Sequence, residues 1–301
     1  MTSEMANPRL PNLVYIGADK AGSTSISALL RDHPEVYVTP AKDTYYFTTE
    51  HHRGIRWYER QFSPQPEHRV VVEVCHDYLY DEDAPKRIHE ELSSDVKLLA
   101  CLRDPTDRAV SSWLHRRKHG YKGSFDDAVT AYPDILEHGD YGTHLSRWYD
   151  VFEPERILIV LFDDLVADTA GFAARLYDDL ALSEHVVSKH ALDPRLTAAR
   201  PRSDLAAALV KRAAVVVRGF GGPKVVGRIK GSPTVQRLLY RPIEREPEAT
   251  DAVQVDLGRR FGPEVDLASR LTGIDLLERW SRYSPALGPD GQADAGASGV
   301  G

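Results

Sequence analysis

Short apolar runs alternate with longer amphipathic segments along this chain. Four of the runs are strongly hydrophobic, and they cover residues 13–16, 69–75, 96–102 and 156–162. Each has the length of a buried strand, and the segments between them carry apolar residues at helical spacing. Strands that alternate with helices in this way are typical of a parallel sheet with helices on both faces. The pattern therefore predicts an open α/β fold.

The first run leads directly into a loop bounded by two glycines. Gly17 to Gly22 form the loop, and the hydroxyl residues 23–25 begin a helix that should stop before Pro34. Free N–H groups and the helix dipole make such a helix start a phosphate site. A Walker A loop would place a lysine where Ser23 stands, whereas Lys20 here lies within the loop. The pattern favours a phosphate-binding loop of the P-loop type and disfavours an ordinary ATPase or kinase; a plain strand–turn–helix is the alternative.

Polar residues follow two other runs. His76 comes after the second run, and Arg103 comes after the third. In open α/β sheets, ligand groups gather at the carboxyl ends of the strands. Two interpretations stay open for each residue: His76 is a site residue or a cap of the next helix, and Arg103 is a second anion ligand or a salt-bridge partner. Ser111 and His115, four residues apart, share one face of the helix that begins near Asp104.

Composition narrows the class of protein. The chain has 301 residues, a net charge of −7 and two cysteines, each at the end of an apolar run. These features indicate reduced thiols and a cytoplasmic protein, since no secretory signal or membrane-spanning run of about 18 apolar residues is visible. The net negative charge of the chain and the absence of a nucleic-acid-binding motif in the sequence argue against a nucleic-acid partner. No cysteine and histidine cluster has zinc-ligand spacing, so we expect no required metal.

The chain is expected to form one domain over residues 12–283. A flexible arm, 1–11, precedes it, and a disordered tail rich in glycine and alanine, 284–301, follows. Within the domain, residues 205–241 contain eight lysines and arginines and no acid. Three interpretations of this basic segment stay open: a helical lid with a solvated face, an electropositive funnel for an anionic ligand, or a peripheral contact with anionic lipid.

Two motifs, in this order, resemble the signatures of sulfotransferases that use 3′-phosphoadenosine 5′-phosphosulfate (PAPS). Lys20-Ala21-Gly22-Ser23-Thr24-Ser25 matches K-[AGT]-G-[ST]-[ST]-[ST], and the segment from Arg103 to Ser111 matches R-[ND]-P-x-[ED]-R-A-x-S. Between them, PAKDTYYF (residues 40–47) resembles the K-E-x-x-[FY]-F segment of carbohydrate-type members, including the heparan sulfotransferases. The resemblance covers about residues 12–283.

The resemblance implies roles for the donor-binding residues. Lys20 would bind the 5′-phosphosulfate and stabilise charge on the bridging oxygen as the S–O bond breaks. The loop and helix start, from Ala21 to Ser25, would hold the 5′-phosphate. Arg103 and Ser111 would hold the 3′-phosphate, and Arg202 lies where the family closes a loop over that group.

The resemblance also implies an acceptor side. Asp43 stands where carbohydrate-type members have a glutamate as general base, although aspartate is one methylene shorter. Members that act on small alcohols and phenols use a histidine from a strand end, which makes His76 the rival base. His115 corresponds to a histidine near the acceptor in some members. Whether Asp43 or His76 is the base stays open at this point.

The implied function is transfer of a sulfuryl group from PAPS to a hydroxyl, or as second choice an amine, of a sugar-containing or natural-product acceptor. The product is adenosine 3′,5′-bisphosphate (PAP), and the partner would be a small molecule, glycan or glycolipid. In-line transfer of this kind depends on positioning and charge, so a lysine can serve without a metal ion. The alternatives are a small-molecule kinase on the same P-loop fold and a non-catalytic nucleotide-binding module. The shifted lysine and the Arg103/Ser111 pair argue against the kinase.

Overall fold

The computed structural model describes residues 10–192, 199–201, 240–242 and 251–283; for 199–201, 240–242 and 251–255 it describes the backbone alone. These residues belong to two compact units. The first joins the chain up to Arg103 with Val151–Glu246, and the second joins Asp104–Asp150 with the chain from Pro247 onward. The predicted tail, Arg202, most of the predicted arm and the basic segment up to residue 239 lie outside the described residues.

The first unit is built on a parallel sheet of five strands. In chain order the strands are β1 (Leu13–Gly17), β2 (Val36–Val38), β3 (Val70–Val74), β4 (Lys97–Leu102) and β5 (Ile157–Leu161). Their order in the sheet is β2-β3-β1-β4-β5, and all neighbours are parallel. The predicted open parallel α/β fold is confirmed. β2 gives little hydrophobic signal because it has only three residues.

The strand order places β1 between β3 and β4. The chain passes from β1 to the β2–β3 side of the sheet and then crosses to β4 and β5 on the other side. A reversal of this kind opens a crevice at the carboxyl ends of the central strands. The loops after β1, β3 and β4 therefore meet at one edge of the sheet.

The centre of the sheet is almost entirely apolar. Residues 13–16 of β1 and 98–102 of β4 expose 1% of their surface or less. Glu73 of β3 is the exception, since its carboxyl is fully buried among these strands. Both cysteines, Cys75 and Cys101, are buried free thiols, as the sequence predicts.

Eleven α-helices of four residues or more lie within the described ranges. They are α1 (Ser23–Asp32), α2 (Ile55–Glu59), α3 (Ala84–Glu91), α4 (Pro105–Lys118), α5 (Phe125–Ala131), α6 (Asp134–Glu137), α7 (Tyr141–Tyr149), α8 (Phe162–Ala167), α9 (Thr169–Asp179), α10 (Asp251–Thr272) and α11 (Leu276–Arg279). The helix after β1 begins at Ser23 and ends before His33-Pro34, as predicted. No helix in the described ranges is both long enough and apolar enough to cross a bilayer.

The second unit is helical. α4 begins directly after Asp104, whose carboxylate accepts the N–H of Asp107 at 3.1 Å, so Asp104 is the N-cap of this helix, which the sequence predicts to begin near that residue. The hydroxyl of Tyr283 also donates to Asp104, at 2.8 Å. α10 is held to the start of α7 by Glu264, which accepts the N–H of Thr143 at 2.8 Å.

The first unit also contains a two-stranded antiparallel ribbon, β6 (Ala199–Pro201) and β7 (Tyr240–Pro242).

Candidate active site

The loop between β1 and α1 has the backbone of an anion cradle. Lys20 and Gly22 both adopt left-handed conformations, with φ of 58° and 89°. The N–H of Ile26 bonds to the carbonyl of Gly22 at 3.0 Å, so helical bonding begins there and the N–H groups of the preceding turn point into the loop. The first turn of α1 contains no acidic residue. The helix start therefore presents positive potential without an internal carboxylate to balance it.

Gly22 is required for two separate reasons. Its φ of 89° is one that residues with a Cβ seldom adopt. In addition, a Cβ at this position would lie 2.7 Å from Leu165 Cδ2 and 3.0 Å from the ring of Phe162, both on α8. Gly22, the second glycine of the loop, thus lets α8 pack directly against it.

Asp19 is bound to a residue from the β3 side of the crevice. The Tyr80 hydroxyl accepts the Asp19 N–H at 2.9 Å and donates to Asp19 Oδ1 at 2.8 Å. Tyr80 belongs to a short 3₁₀ turn, Tyr78–Tyr80, that follows β3. This two-way contact ties the β1 loop to the segment after β3. Sequence reasoning missed it because neither residue belongs to a recognised motif.

Arg103 lies against the same loop from the β4 side. Its Nη1 donates to the carbonyl of Lys20 at 3.2 Å, and its guanidinium lies 4.7 Å from the centre of the Phe162 ring. A guanidinium stacked on an aromatic ring is held in one orientation. Two predicted site residues, Lys20 and Arg103, are therefore neighbours although 83 residues separate them.

Lys42 reaches the cradle as well, and sequence reasoning did not assign it. Its Nζ lies 3.2 Å from Ser23 Oγ and 3.2 Å from Thr24 Oγ1. A signal was available, because Lys42 is the lysine of the PAKDTYYF segment that singled out Asp43. The residue was missed because a lysine in a loop is usually solvated.

Asp43 and His76 form a hydrogen-bonded pair; Asp43 lies in the loop after β2, and His76 follows the neighbouring strand β3. His76 Nδ1 lies 2.7 Å from Asp43 Oδ1, and the His76 N–H donates to the same oxygen at 3.4 Å. The backbone N–H of Asp43 donates to the carbonyl of Val74 at 2.9 Å. Asp43 itself has a φ of 57°, an unusual conformation that these contacts hold in place. His76 does not cap the next helix, whose N-cap position is Asp83.

The charges of this pair stabilise one another. Burial alone would raise the pKa of Asp43, but the hydrogen bond and charge of His76 hold it below 3.8. Burial would likewise lower the pKa of His76, but the hydrogen bond and charge of Asp43 raise it above 6.5. Because the carboxylate is ionised, Nδ1 carries the proton. His76 Nε2 lies 3.2 Å from Oδ1 of Asp77, a half-exposed side chain.

A buried carboxyl supports the loop that carries Asp43. Glu73 accepts hydrogen bonds from the hydroxyls of Tyr58 at 2.5 Å and Tyr78 at 2.8 Å, and from Thr44. Burial raises the pKa of Glu73 to about 7 in spite of these three hydrogen bonds. Since Thr44 directly follows Asp43, this network holds the backbone on which the Asp43 carboxylate is mounted.

The remaining predicted residues lie at the β1–α1 junction, on α4 or outside the described ranges. Ala21 is buried and Ser25 is half-buried, both at the junction. Ser111 is half-buried and His115 exposed on α4, in the second unit. The His115 ring lies 4.3 Å from that of His119, one turn further along the helix. Arg202 is outside the described residues. The donor and acceptor roles of all these residues stay predictions.

Comparison with known proteins agrees with the fold and with the motifs. Residues 10–193 match the family described as "Sulfotransferase domain", which is more than half of the chain. The chain belongs to this family. The prediction of a sulfotransferase that uses PAPS is thereby confirmed at the level of family and enzyme class.

Curated relatives include two kinds of mouse enzyme. Heparan sulfate glucosamine 3-O-sulfotransferase 6 is 29% identical over 261 residues, which is 79% of this chain and 71% of the relative. Bifunctional heparan sulfate N-deacetylase/N-sulfotransferase 3 is 30% identical over 215 residues, or 64% of this chain, and the match spans only 24% of that relative. Among solved structures, a sulfotransferase from Alicyclobacillus acidocaldarius covers 90% of this chain with a TM-score of 0.66 and 20% identity, which supports the fold.

Proposed function

We propose that this chain transfers the sulfuryl group of PAPS to a hydroxyl of a glucosamine-containing glycan, with an amine of the same kind of sugar as the second choice. The observation that carries the proposal is the similarity of this chain to two kinds of enzyme, a glucosamine 3-O-sulfotransferase and an N-sulfotransferase. Both are named as enzymes of heparan sulfate. The segment with Asp43, which resembles the carbohydrate-type members, supports the same acceptor class.

The residues around the β1 loop fit the donor. Lys20, Arg103 and the start of α1 supply positive charge and N–H donors, and Gly22 keeps a side chain out of the cradle. Lys20 and residues 22–25 would hold the 5′-phosphosulfate end, and Arg103 the 3′-phosphate; Ser111 is assigned to the 3′-phosphate by its motif. When bound, PAPS supplies an activated sulfuryl group on a phosphate leaving group. No metal ligand set is needed for this chemistry, because the cations come from side chains.

The pairing of Asp43 with His76 supports a division of labour between the two rival bases. Asp43 orients the imidazole through Nδ1–H and raises its pKa, and Nε2 takes the proton from the acceptor hydroxyl. The raised pKa of His76 makes its imidazole the stronger proton acceptor of the two, whereas the lowered pKa of Asp43 makes its carboxylate the weaker one. In this scheme the acceptor hydroxyl displaces Asp77 from its position beside Nε2.

The donor site is tested by thermal unfolding in the presence of PAP, 5′-AMP or magnesium ATP. A ligand present at about 100 times its Kd should add roughly 2.7 kcal/mol of apparent stability. We expect PAP to stabilise the protein strongly and 5′-AMP weakly. A larger shift with magnesium ATP would support the kinase instead, and no shift with any of the three would contradict a working nucleotide site.

The acceptor class is tested by incubating the protein with PAPS and three acceptors. These are a heparan-type oligosaccharide with N-sulfated glucosamine, the same oligosaccharide with free amines, and a simple phenol. We expect mass spectrometry to find O-sulfation of the first and little product from the phenol. Product from the phenol alone would contradict the glycan acceptor while leaving the sulfotransferase assignment intact.

A further inference from the structure

The position of Lys42 is difficult to explain as that of a simple surface lysine. Its ammonium lies within hydrogen-bond distance of two hydroxyls, Ser23 Oγ and Thr24 Oγ1, both in the first turn of α1. A cation near a helix N-terminus is electrostatically unfavourable, because that end already carries partial positive charge. The first turn of α1 holds no acid, and the charge of Lys42 acts on the neighbouring Asp43, whose hydrogen bonds go to His76.

The backbone keeps Lys42 in this position. The loop that carries it is bonded to β3 on both sides of the lysine, by Thr39 N–H to Val72 O at 3.0 Å and by Asp43 N–H to Val74 O at 2.9 Å. Asp43 and Tyr45, with φ of 57° and 55°, hold the rest of the loop in an unusual conformation. The network around Glu73 then fixes Thr44. A loop constrained at so many points presents Lys42 to the cradle in a defined direction.

We propose that Lys42 is a second lysine of the donor site, which binds the 5′-phosphosulfate group together with Lys20 and the hydroxyls of Ser23 and Thr24. The proposal rests on the proposed function. The positive helix start, the ammonium and the two hydroxyls converge on one point, and an anion with more than one charge is the ligand that compensates all of them.

Lys42 lies next in the chain to a residue of the proton-accepting pair, so one loop contributes to both the donor cradle and that pair. Its neighbour Asp43 bonds to His76, so consecutive residues of one rigid loop serve the donor and the proton-accepting pair. Anion binding at Lys42 would therefore hold the Asp43–His76 pair at a set position relative to the transferred group. Lys42 is thus a binding residue for the donor that directly precedes a member of the proton-accepting pair in the chain.

The test compares Lys42→Met and Lys42→Arg with the wild type for binding of PAP and of adenosine 3′-phosphate, which has no 5′-phosphate. Loss of one charged hydrogen bond should weaken PAP binding by roughly 10- to 100-fold in Lys42→Met, with partial recovery in Lys42→Arg. Binding of adenosine 3′-phosphate should change little. The matched control is Lys86→Met, which removes a positive charge from the exposed side chain that pairs with Glu90.

Each outcome decides the question. Selective loss of PAP affinity with unchanged adenosine 3′-phosphate affinity supports Lys42 as a ligand of the 5′ group. Equal loss for both nucleotides, or none, overturns it while leaving the sulfotransferase assignment standing. A wild type that binds neither PAP nor adenosine 3′-phosphate overturns the proposed donor site and this proposal together. Circular dichroism of each variant verifies that it is folded.

Discussion

His76 Nδ1 donates a 2.7 Å hydrogen bond to the carboxylate of Asp43, although 33 residues separate them in the chain. The two side chains that the sequence offers as rival bases are therefore in direct contact. Their pKa values move in opposite directions, that of Asp43 below 3.8 and that of His76 above 6.5. Because the two pKa values are shifted in opposite directions, measurements as a function of pH can distinguish the role of Asp43 from that of His76.

His76→Gln should lower kcat by roughly 10²–10⁴-fold and leave PAP affinity unchanged, because it removes the proton acceptor without altering the cradle. In the wild type, kcat/KM should rise with pH through the raised pKa of His76. Asp43→Asn should shift that rise to lower pH, since a neutral partner no longer stabilises the imidazolium. Steady-state kinetics across the pH range measure both effects. A His76→Gln enzyme with wild-type kcat would instead identify Asp43 as the base.

The same pair predicts how stability depends on pH. The pKa of His76 is raised, so its contribution is complete below 6.5 and disappears as pH rises through its folded value. The pKa of Asp43 is lowered, so its contribution is present above 3.8 and disappears as pH falls through its folded value. Wild type should therefore exceed His76→Gln in unfolding free energy most clearly between about pH 4 and 6.5. Urea unfolding at several pH values measures this difference. An equal difference at about pH 9 would contradict the charged pair; His52→Gln, at an exposed histidine, is the control.

Glu73 should make the protein less stable as pH rises. Its pKa is raised from 4.5 to about 7, so the folded state holds a proton that the unfolded state releases. Wild-type stability should fall between these two pH values, whereas Glu73→Gln, which cannot ionise, should lack this component. At about pH 5, where wild-type Glu73 is protonated, Glu73→Ala should cost on the order of 2–5 kcal/mol, because the hydroxyls of Tyr58 and Tyr78 lose a buried acceptor. Thermal unfolding from pH 5 to 8, a range of roughly three units, tests the prediction. A Glu73→Gln profile parallel to that of wild type would contradict it.

Gly22→Ala should both destabilise the protein and abolish nucleotide binding. The added Cβ would meet Leu165 at 2.7 Å in a backbone conformation with φ of 89°. Gly273→Ala is the control, since Gly273 has a φ of 70° but a Cβ added there would have no atom within 4 Å. The control should lose about 1–2 kcal/mol from the left-handed conformation alone, and Gly22→Ala should lose more. Equal losses, measured by urea unfolding, would show that packing against α8 contributes nothing.

Arg103→Ala should discriminate between nucleotides. If Arg103 holds the 3′-phosphate, the variant should lose roughly 10- to 100-fold in PAP affinity and much less for 5′-AMP. Isothermal titration calorimetry with the two nucleotides gives the comparison. Arg69→Ala, which removes an exposed arginine paired with Glu35, is the control. Equal losses of affinity for PAP and 5′-AMP would contradict a 3′-phosphate ligand. They would indicate that Arg103 acts by holding the β1 loop through its hydrogen bond to the Lys20 carbonyl.

Much of the fold could be predicted from the chain alone because its signals are local. The apolar runs correspond to β1, β3, β4 and β5, and the cap of α4 follows from the Asp104-Pro105 pair. Lys20 and Gly22 were identifiable for the same reason, since the cradle is built from consecutive residues. The cytoplasmic location and the single-domain boundaries remain predictions from composition.

The contacts that complete the site required the tertiary structure. Lys42 reaches Ser23 and Thr24 across 19 and 18 residues, and Asp43 reaches His76 across 33. Such contacts depend on the parallel register of the strands and on a left-handed backbone at Asp43, a conformation that is uncommon for residues other than glycine. The sequence by itself determined the strand pattern, the phosphate loop and the family. Only the tertiary structure decided that the two rival bases are partners, because side chains from separate strand ends meet only when the sheet brings those ends together.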